Sequence, residues 1–395
     1  MSRQSFGYCN QSQTIILLDI PTSIEDGQQL PYLLKSSAAP ENPYLSTEPK
    51  GAKRDAAITA LPFQDRAYHA SVQKDITTAL DELQSYLAAQ GGSWYRDRPL
   101  FISQNDLMFP PLGASNRSNG SERIHPTAAT VPVILSTTEL HNKFPSLRVL
   151  HDVAVCNPGN MTSVVEIGDA GDFLIPPGST FILSTLERGL PSFLSSCDTL
   201  LLTVAKKFDL VLMDPPWPNR SVRHSSAYRT RESQALDPFQ QAVDVVMSHL
   251  LPQGLVAVWI TNKPSVRASV LEIFQALSLS LREEWVWIKT TAHGEPVTQL
   301  DGVWRRPYEI LLLFRKGHYP ETPLRRVIAA VPDLHSRKPC LKALLEELLP
   351  SNYSAIELFA RSLTAGWWSW GDEVLRFQHK SHWARFDQAD RKSPS

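Results

Sequence analysis

The sequence predicts an α/β protein with a mostly parallel sheet and helices on both faces. Three observations carry this. Residues 208–213 and 255–260 are short apolar runs, the signature of strands buried on both sides. Between and after them, 234–251 and 264–277 place apolar residues at three- and four-residue steps, as helices do. Further strands are expected at 284–288 and 309–314, then a short amphipathic helix at 341–349 and a last strand at 355–360. Strands alternating with helices imply crossover connections and a parallel sheet, whose ligands sit at the carboxyl ends of the strands.

The N-terminal part reads differently. Residues 1–65 are polar, rich in Ser, Gln and Pro, and are expected to be mostly irregular. From 66 to 90, Val72, Ile76, Ala79, Leu83 and Leu87 recur with helical spacing, and Gly91-Gly92 supplies the stop. Residues 116–130 carry Ser, Asn, Gly and Pro and predict a loop. Alternation returns at 149–155, 164–167 and 173–175, broken by Gly and Pro, which predicts small β-hairpins. The expected organisation is an irregular segment (1–65), an accessory region (66–175), a main α/β domain (176–385) and a tail (386–395).

Bulk properties exclude more than they assign. The 39 Lys and Arg nearly balance the 40 Asp and Glu, so binding to a polyanion must come from a local basic surface. Cys9, Cys156, Cys197 and Cys340 lie far apart without a Cys-x-x-Cys pair, which argues against a zinc knuckle or a disulfide framework and fits a reducing compartment. No metal site is expected. No apolar stretch approaches the roughly 20 residues of a membrane helix.

The chemistry concentrates where strand 208–213 ends in Asp214-Pro215-Pro216-Trp217. Two prolines fix two φ angles, remove two backbone donors and hold Asp214 out of the helical region. The strand therefore presents a carboxylate, a main-chain carbonyl and an aromatic ring from a rigid turn. That set suits one problem. The exocyclic amine of adenine is a poor nucleophile because its lone pair is delocalised into the ring. Two acceptors, Asp214 and the Pro215 carbonyl, would bind its two N–H groups and favour a tetrahedral nitrogen with a free lone pair. Catalysis is then mostly positioning and preorganised dipoles. Trp217 offers a stacking face, worth about 1–3 kcal/mol per base. A bare Asp-Pro-Pro is more often only a loop; its place directly after a buried strand is what raises its weight.

Around this motif the chain resembles the MT-A70 family of adenine-N6 methyltransferases, and is most similar to its methyltransferase-like-four branch. The resemblance rests on FDLVLMDPPWPNRSV from Phe208, VWITNK from Val258, EWVWIKTTAHGE from Glu284, RRPYEILLLFRKG from Arg305, HSRKP from His335 and ELFARSLTAGWWSWGDEVLRFQ from Glu357. PYLSTEPKGAK from Pro43 and IPPGSTFILS from Ile175 also fit the branch. The resemblance implies a permuted Rossmann-like methyltransferase sheet, in which the catalytic motif precedes the main cofactor-binding strand, with S-adenosyl-methionine across its carboxyl edge.

Residue by residue, the resemblance implies cofactor contacts from Arg361 and from Asp372-Glu373, where Asp372 replaces the usual Asn. Lys338 matches the lysine facing the methionine carboxylate. Thr185-Leu186 stands where the family has an Asp-hydrophobic pair around the cofactor adenine, and Leu363-Thr364 replaces the His-Asn of the mRNA enzyme. Asp214 borders the cofactor as well. On the substrate side it implies Asn219, Arg220, Arg223, Lys289, Tyr308 and Glu309, with Arg305 and Arg306 in the same region. His224, Arg229 and Arg231 extend the basic segment, whose bland alternative is a solvated loop. Trp367, Trp368 and Trp370 could serve as stacking platforms, but their spacing favours core packing for at least one.

Three functions share these residues: an adenine-N6 methyltransferase on RNA (small nuclear RNA, with 2′-O-methyladenosine as a target), the same chemistry on DNA, and a catalytically weak nucleic-acid-binding scaffold. The intact Asp-Pro-Pro-Trp favours an enzyme over the scaffold, and over methylation of a protein amine. The expected partner is nucleic acid. A monomer is expected, with the N-terminal region packed on the catalytic domain in place of a partner subunit. The expected substrate class implies a nuclear protein, with the cytoplasm as the alternative.

Overall fold

A computed structural model describes residues 5–101, 131–136, 142–200, 206–217, 238–317 and 322–385. The expected loop at 116–130 and the tail at 386–395 lie outside the described residues. The strands run β1 (Phe6–Cys9), β2 (Ile15–Leu18), β3 (Tyr32–Leu34), β4 (Val133–Ile134), β5 (Asn142–Phe144), β6 (Ala154–Cys156), β7 (Ser163–Ile167), β8 (Gly171–Ile175) and β9 (Thr180–Leu183). They continue as β10 (Phe208–Met213), β11 (Leu250–Ile260), β12 (Leu279–Lys289), β13 (Tyr308–Lys316), β14 (Leu324–Ala330), β15 (Ala355–Leu358), β16 (Trp368–Gly371) and β17 (Trp383–Arg385). The helices are α1 (Ile20–Gln28), α2 (Ala52–Thr59), α3 (Phe63–Gln90), α4 (Leu186–Leu200), α5 (Pro238–His249), α6 (Pro264–Ala276) and the one-turn α7 (Lys342–Leu345).

Twelve strands form one sheet, in the order β1-β2-β14-β12-β13-β11-β10-β15-β16-β9-β6-β4. Its centre, β11-β10-β15-β16-β9, is parallel throughout. β13 runs antiparallel between β11 and β12. The sheet is thus mostly parallel, as the alternation of elements predicts, and it is the Rossmann-like arrangement.

Side-chain alternation sorts the core around the middle of the sheet into two layers, with a third cluster where β7 and β8 pack beside β9. Val256, Val258 and Ile260 of β11 and Ile310, Leu312 and Phe314 of β13 face a layer shared with α3, α4, α5 and α6. Ala257 and Trp259, Trp285 and Trp287, and Leu311 and Leu313 face the opposite layer. That layer is closed by Ile20 and Ile24 of α1 and by Leu344 and Leu345 of α7. Both faces carry helices, but the long ones share one face.

Five segments differ from expectation. Residues 149–155 do not form a hairpin: Leu147–Leu150 is a 3-10 turn, and only β6 is a strand, paired with β9 in the main sheet. Residues 1–65 are not mostly irregular: β2 pairs in parallel with β14 and extends the sheet, β1 forms its edge, and α1 and α2 follow. Ile15–Leu18 spans only four residues, and its pairing with Val327–Ala329 supplies what local propensity lacks. β14 itself opens on Leu-Arg-Arg, which hides it from an apolar pattern. β16 follows β15, so 355–360 does not end the sheet. Finally, residues 250–254, expected to close a helix, are the irregular start of β11.

Helix α3 is the longest element in the N-terminal part. His69, Val72, Ile76, Ala79, Leu83 and Leu87 form its buried row, and Gly91 ends it with φ 62°, a left-handed conformation that costs glycine little. It is pinned to the sheet by charge as well. The buried Glu284 of β12 takes Arg267 of α6 on one oxygen and Arg325 of β14 on the other, the latter at 3.0 Å. Arg325 also pairs with Asp75 of α3. The Arg267 guanidinium lies 4.0 Å from the ring centroid of Tyr68, also on α3.

Two buried histidines are expected to make the fold acid-sensitive. His69 shares a 2.8 Å hydrogen bond with the Tyr308 hydroxyl. Burial, then Arg306 and Arg267, push its pKa down to about 3. Burial, then Arg337, push His382 down to about 3 as well. In the unfolded chain both would titrate near 6.5. Between about pH 6.5 and 3 the unfolded state therefore binds more protons, and stability is lost as pH falls through that window. Each histidine costs up to about 1.4 kcal/mol per pH unit below 6.5. His69→Gln should make the fall of Tm with acid shallower in a pH series of thermal melts; an unchanged slope would refute the assignment.

Candidate active site

β10 has β11 on one side and β15 on the other, both parallel to it. The chain leaves β10 for β11 and reaches β15 only later, so the order reverses at β10. A crevice opens outside the strand ends at such a point. Asp214 and the turn after β15, Phe359 to Arg361, stand in it.

Asp214 is gripped from two sides. Arg361 Nη1 lies 2.9 Å from one carboxylate oxygen and Lys338 Nζ 3.3 Å from the other. Each cation has a second acid. Lys338 is 2.6 Å from Glu309, which also takes Lys289 at 2.5 Å. Arg361 Nε is 3.2 Å from Glu373. The result is a chain of alternating charge, Lys289–Glu309–Lys338–Asp214–Arg361–Glu373, across the carboxyl edge of the sheet. Burial alone would raise the Glu309 pKa, but the two lysines outweigh it and bring it down to about 2. For Lys338, burial opposes the charge, yet Asp214 and Glu309 leave its pKa raised.

Two clefts meet here, sharing Asp214, Phe359 and Arg361. One is lined by Thr185, Leu186 and Glu187 at the start of α4 and by Gly371, Asp372 and Glu373 at the end of β16. The other is lined by Lys338, Glu357, Thr364 and Trp259. The first offers carboxylates and a helix N-terminus, which suit an adenosine and its ribose hydroxyls. The second offers a cation, which suits an amino-acid carboxylate. The residues of the two clefts fit S-adenosyl-methionine: Asp372 and Glu373 would hold its ribose side and Lys338 its carboxylate.

Of the expected cofactor residues, Thr185, Leu186, Asp214, Arg361, Asp372 and Glu373 line one cleft, and Lys338 and Thr364 line the other. Thr185 has a structural duty: its hydroxyl accepts the Arg188 amide at 3.3 Å and caps α4. Burial and then Glu373 raise the pKa of Asp372.

The turn after Asp214 is tightly held. The Pro215 carbonyl accepts the Trp217 amide at 2.8 Å, which leaves one lone pair for another donor. Trp217 Nε1 donates to the Trp259 carbonyl at 2.8 Å, and its ring packs on Phe239 at 5.0 Å. Trp217 is therefore anchored in the core layer as well as next to the site.

On the substrate side the structure corrects one expectation. Tyr308 is 1% exposed, its hydroxyl is taken by His69 and its carbonyl by Asn262 at 2.6 Å, so it is a core residue under α3 and does not face a nucleotide. Lys289 and Glu309 do reach the site, but as members of the charge chain. Trp367, Trp368 and Trp370 are all buried, none a platform. Asn219, Arg220, Arg223, His224, Arg229 and Arg231 lie outside the described residues.

Sequence reasoning missed two contributors. Phe359 has φ 59°, rare for a residue with a Cβ, and its ring borders both clefts. Nothing local announces a left-handed phenylalanine. Glu357 of β15 lines the second cleft, and burial, then Asp214, raise its pKa to about 8. Its charge in the apolar part of a strand was a legible signal.

Fold and site together define a Rossmann-like methyltransferase of the class that modifies the N6 of adenine in nucleic acid. The sequence model of the MT-A70 family matches residues 208–373. A Cryphonectria parasitica protein named N6-methyladenosine RNA methyltransferase MTA1 is 34% identical over 347 residues, 85% of this chain and 96% of its own. The human N(6)-adenine-specific methyltransferase METTL4 is 36% identical over 237 residues, 56% of this chain and 47% of its own. A Caenorhabditis elegans protein named DNA N6-methyl methyltransferase is 31% identical over 232 residues, 58% of this chain and 60% of its own. This chain belongs to the MT-A70 family.

Proposed function

We propose that this chain transfers the methyl group of S-adenosyl-methionine to the exocyclic N6 of adenine in RNA. The observation that carries the proposal is Asp214, held by Lys338 and Arg361 where the two clefts meet. The cofactor, when bound, supplies an electrophilic methyl on a sulfonium. The protein does the rest by position. Lys338 and Arg361 orient the Asp214 carboxylate so that it accepts one amine N–H. The second lone pair of the Pro215 carbonyl accepts the other. The freed nitrogen lone pair then points along the line of attack, with no reorganisation needed at the moment of transfer.

RNA is favoured over DNA because relatives that match along nearly their whole length carry an RNA methyltransferase name. Within RNA, the likeness to the methyltransferase-like-four branch supports small nuclear RNA, with 2′-O-methyladenosine as target, and a nuclear site of action. Action as a monomer is supported by the N-terminal segment. It extends the sheet, and residues 40–54 dock on the loop between β12 and β13 through the Tyr44 amide, Glu48 and Arg54.

The test is transfer of labelled methyl to RNA, single-stranded DNA and duplex DNA of one sequence, each with and without 2′-O-methyl at the target. RNA should be modified fastest. Faster transfer to DNA would overturn the RNA assignment, and cofactor binding with no transfer to any polymer would favour the scaffold.

A further inference from the structure

Nine of the ten tryptophans are buried or half-buried; Trp304 is 63% exposed. It sits in the loop between β12 and β13, and this loop is held stiffly. The Glu48 carboxylate accepts three successive amides, those of Val303 (2.6 Å), Trp304 (3.1 Å) and Arg305 (2.8 Å). Arg54 binds both the carbonyl (3.2 Å) and the carboxylate (2.5 Å) of Asp301. The turn closes on itself, since a Cβ at Gly302 would lie 2.1 Å from the Arg305 carbonyl oxygen. A large apolar ring is thus displayed to solvent on a preorganised backbone.

Its charge surroundings point to the occupant. Arg305 beside it, and Lys50 and Lys53 on the segment that clamps it, are exposed and have no acidic partner among the described residues. Two of the acids nearby are engaged, Glu48 by backbone amides and Asp301 by Arg54, which leaves the exposed Asp55 of α2 against these three cations. The position also fits. β13 lies two strands from β10, about 10 Å at the usual strand spacing, and Trp304 precedes β13 by four residues, at most about 14 Å of chain. The loop leaves the same edge of the sheet as Asp214.

We propose that Trp304 is a stacking platform for a base of the single-stranded substrate away from the target adenine, with Arg305 contacting the adjoining phosphate. This rests on the nucleic-acid reading of the site and adds a second point of contact to it. An exposed indole with neighbouring cations is the usual device for holding unpaired bases without reading their identity.

The test compares a 5-nucleotide and a 15-nucleotide RNA centred on the same adenine, with binding read by fluorescence anisotropy. Trp304→Ala should weaken binding of the longer RNA about tenfold and leave the shorter one unchanged. Trp304→Phe should restore most of the loss. Arg305→Ala should weaken the longer RNA and lower its salt dependence. A longer RNA with abasic units away from the target should bind wild type and Trp304→Ala alike. Unchanged binding of the longer RNA, or equal losses at both lengths, would overturn the proposal. So would Trp304→Ala abolishing association with a protein while RNA affinity persists. Methyl transfer by the wild type is measured in parallel: its absence counts against the catalytic reading, whereas the anisotropy series tests Trp304 independently.

Discussion

Asp214→Asn is expected to slow single-turnover methyl transfer by about 10²–10³-fold, the usual cost of losing one preorganised electrostatic partner of the reacting group. The amide keeps the shape of the side chain but turns one acceptor position into a donor, so it cannot satisfy Arg361, Lys338 and an amine together. The fold should tolerate the change. Lys338 retains Glu309 and Arg361 retains Glu373, so neither cation is left alone. Tm should therefore move by only a few degrees, and cofactor affinity, measured separately by calorimetry, should change much less than the rate. Transfer within tenfold of wild type would remove Asp214 from its assigned role.

Glu284→Ala is expected to cost about 3 kcal/mol of stability, the lower end of the range for removing one partner of a buried ion pair. The lower end applies because both guanidinium groups keep some contact with solvent, at 25% and 17% exposure, and Arg325 keeps Asp75. The loss should appear first in α3, since Tyr68 and Asp75 of that helix share the arginines. Hydrogen exchange of residues 63–90 should accelerate before the parallel centre of the sheet opens. A thermal melt indistinguishable from wild type, or faster exchange spread evenly over the chain, would contradict this coupling. Glu284→Gln, which keeps the volume and one acceptor, should lose less.

The α/β class, the buried strands β10, β11, β13 and β15, and the helices α3 and α6 were legible in the chain. Their patterns are local: four to six apolar residues in a run, or apolar positions three and four apart. The Asp214 turn was legible for the same reason, because two prolines dictate their own backbone. The amino acids of the site were also nameable from the resemblance, though not their pairing.

The tertiary structure alone decided the rest. β2 is a strand because it pairs with the sequence-distant β14, where Ile15 meets Val327, and β16 because it lies between β15 and β9, where Trp368 meets Thr180; short segments take their conformation from such partners. Tyr308 is core and Trp304 is surface, although both are aromatic residues of one loop-to-strand segment; only the helix packed above one and the open solvent above the other separate them. The Asp214 turn, which the residues alone made rigid, acquires its direction from Lys338, brought by the loop after β14, and from Arg361, brought by the turn after β15. Charge pairing depends on distance in space, and that distance is set by the order of strands in the sheet.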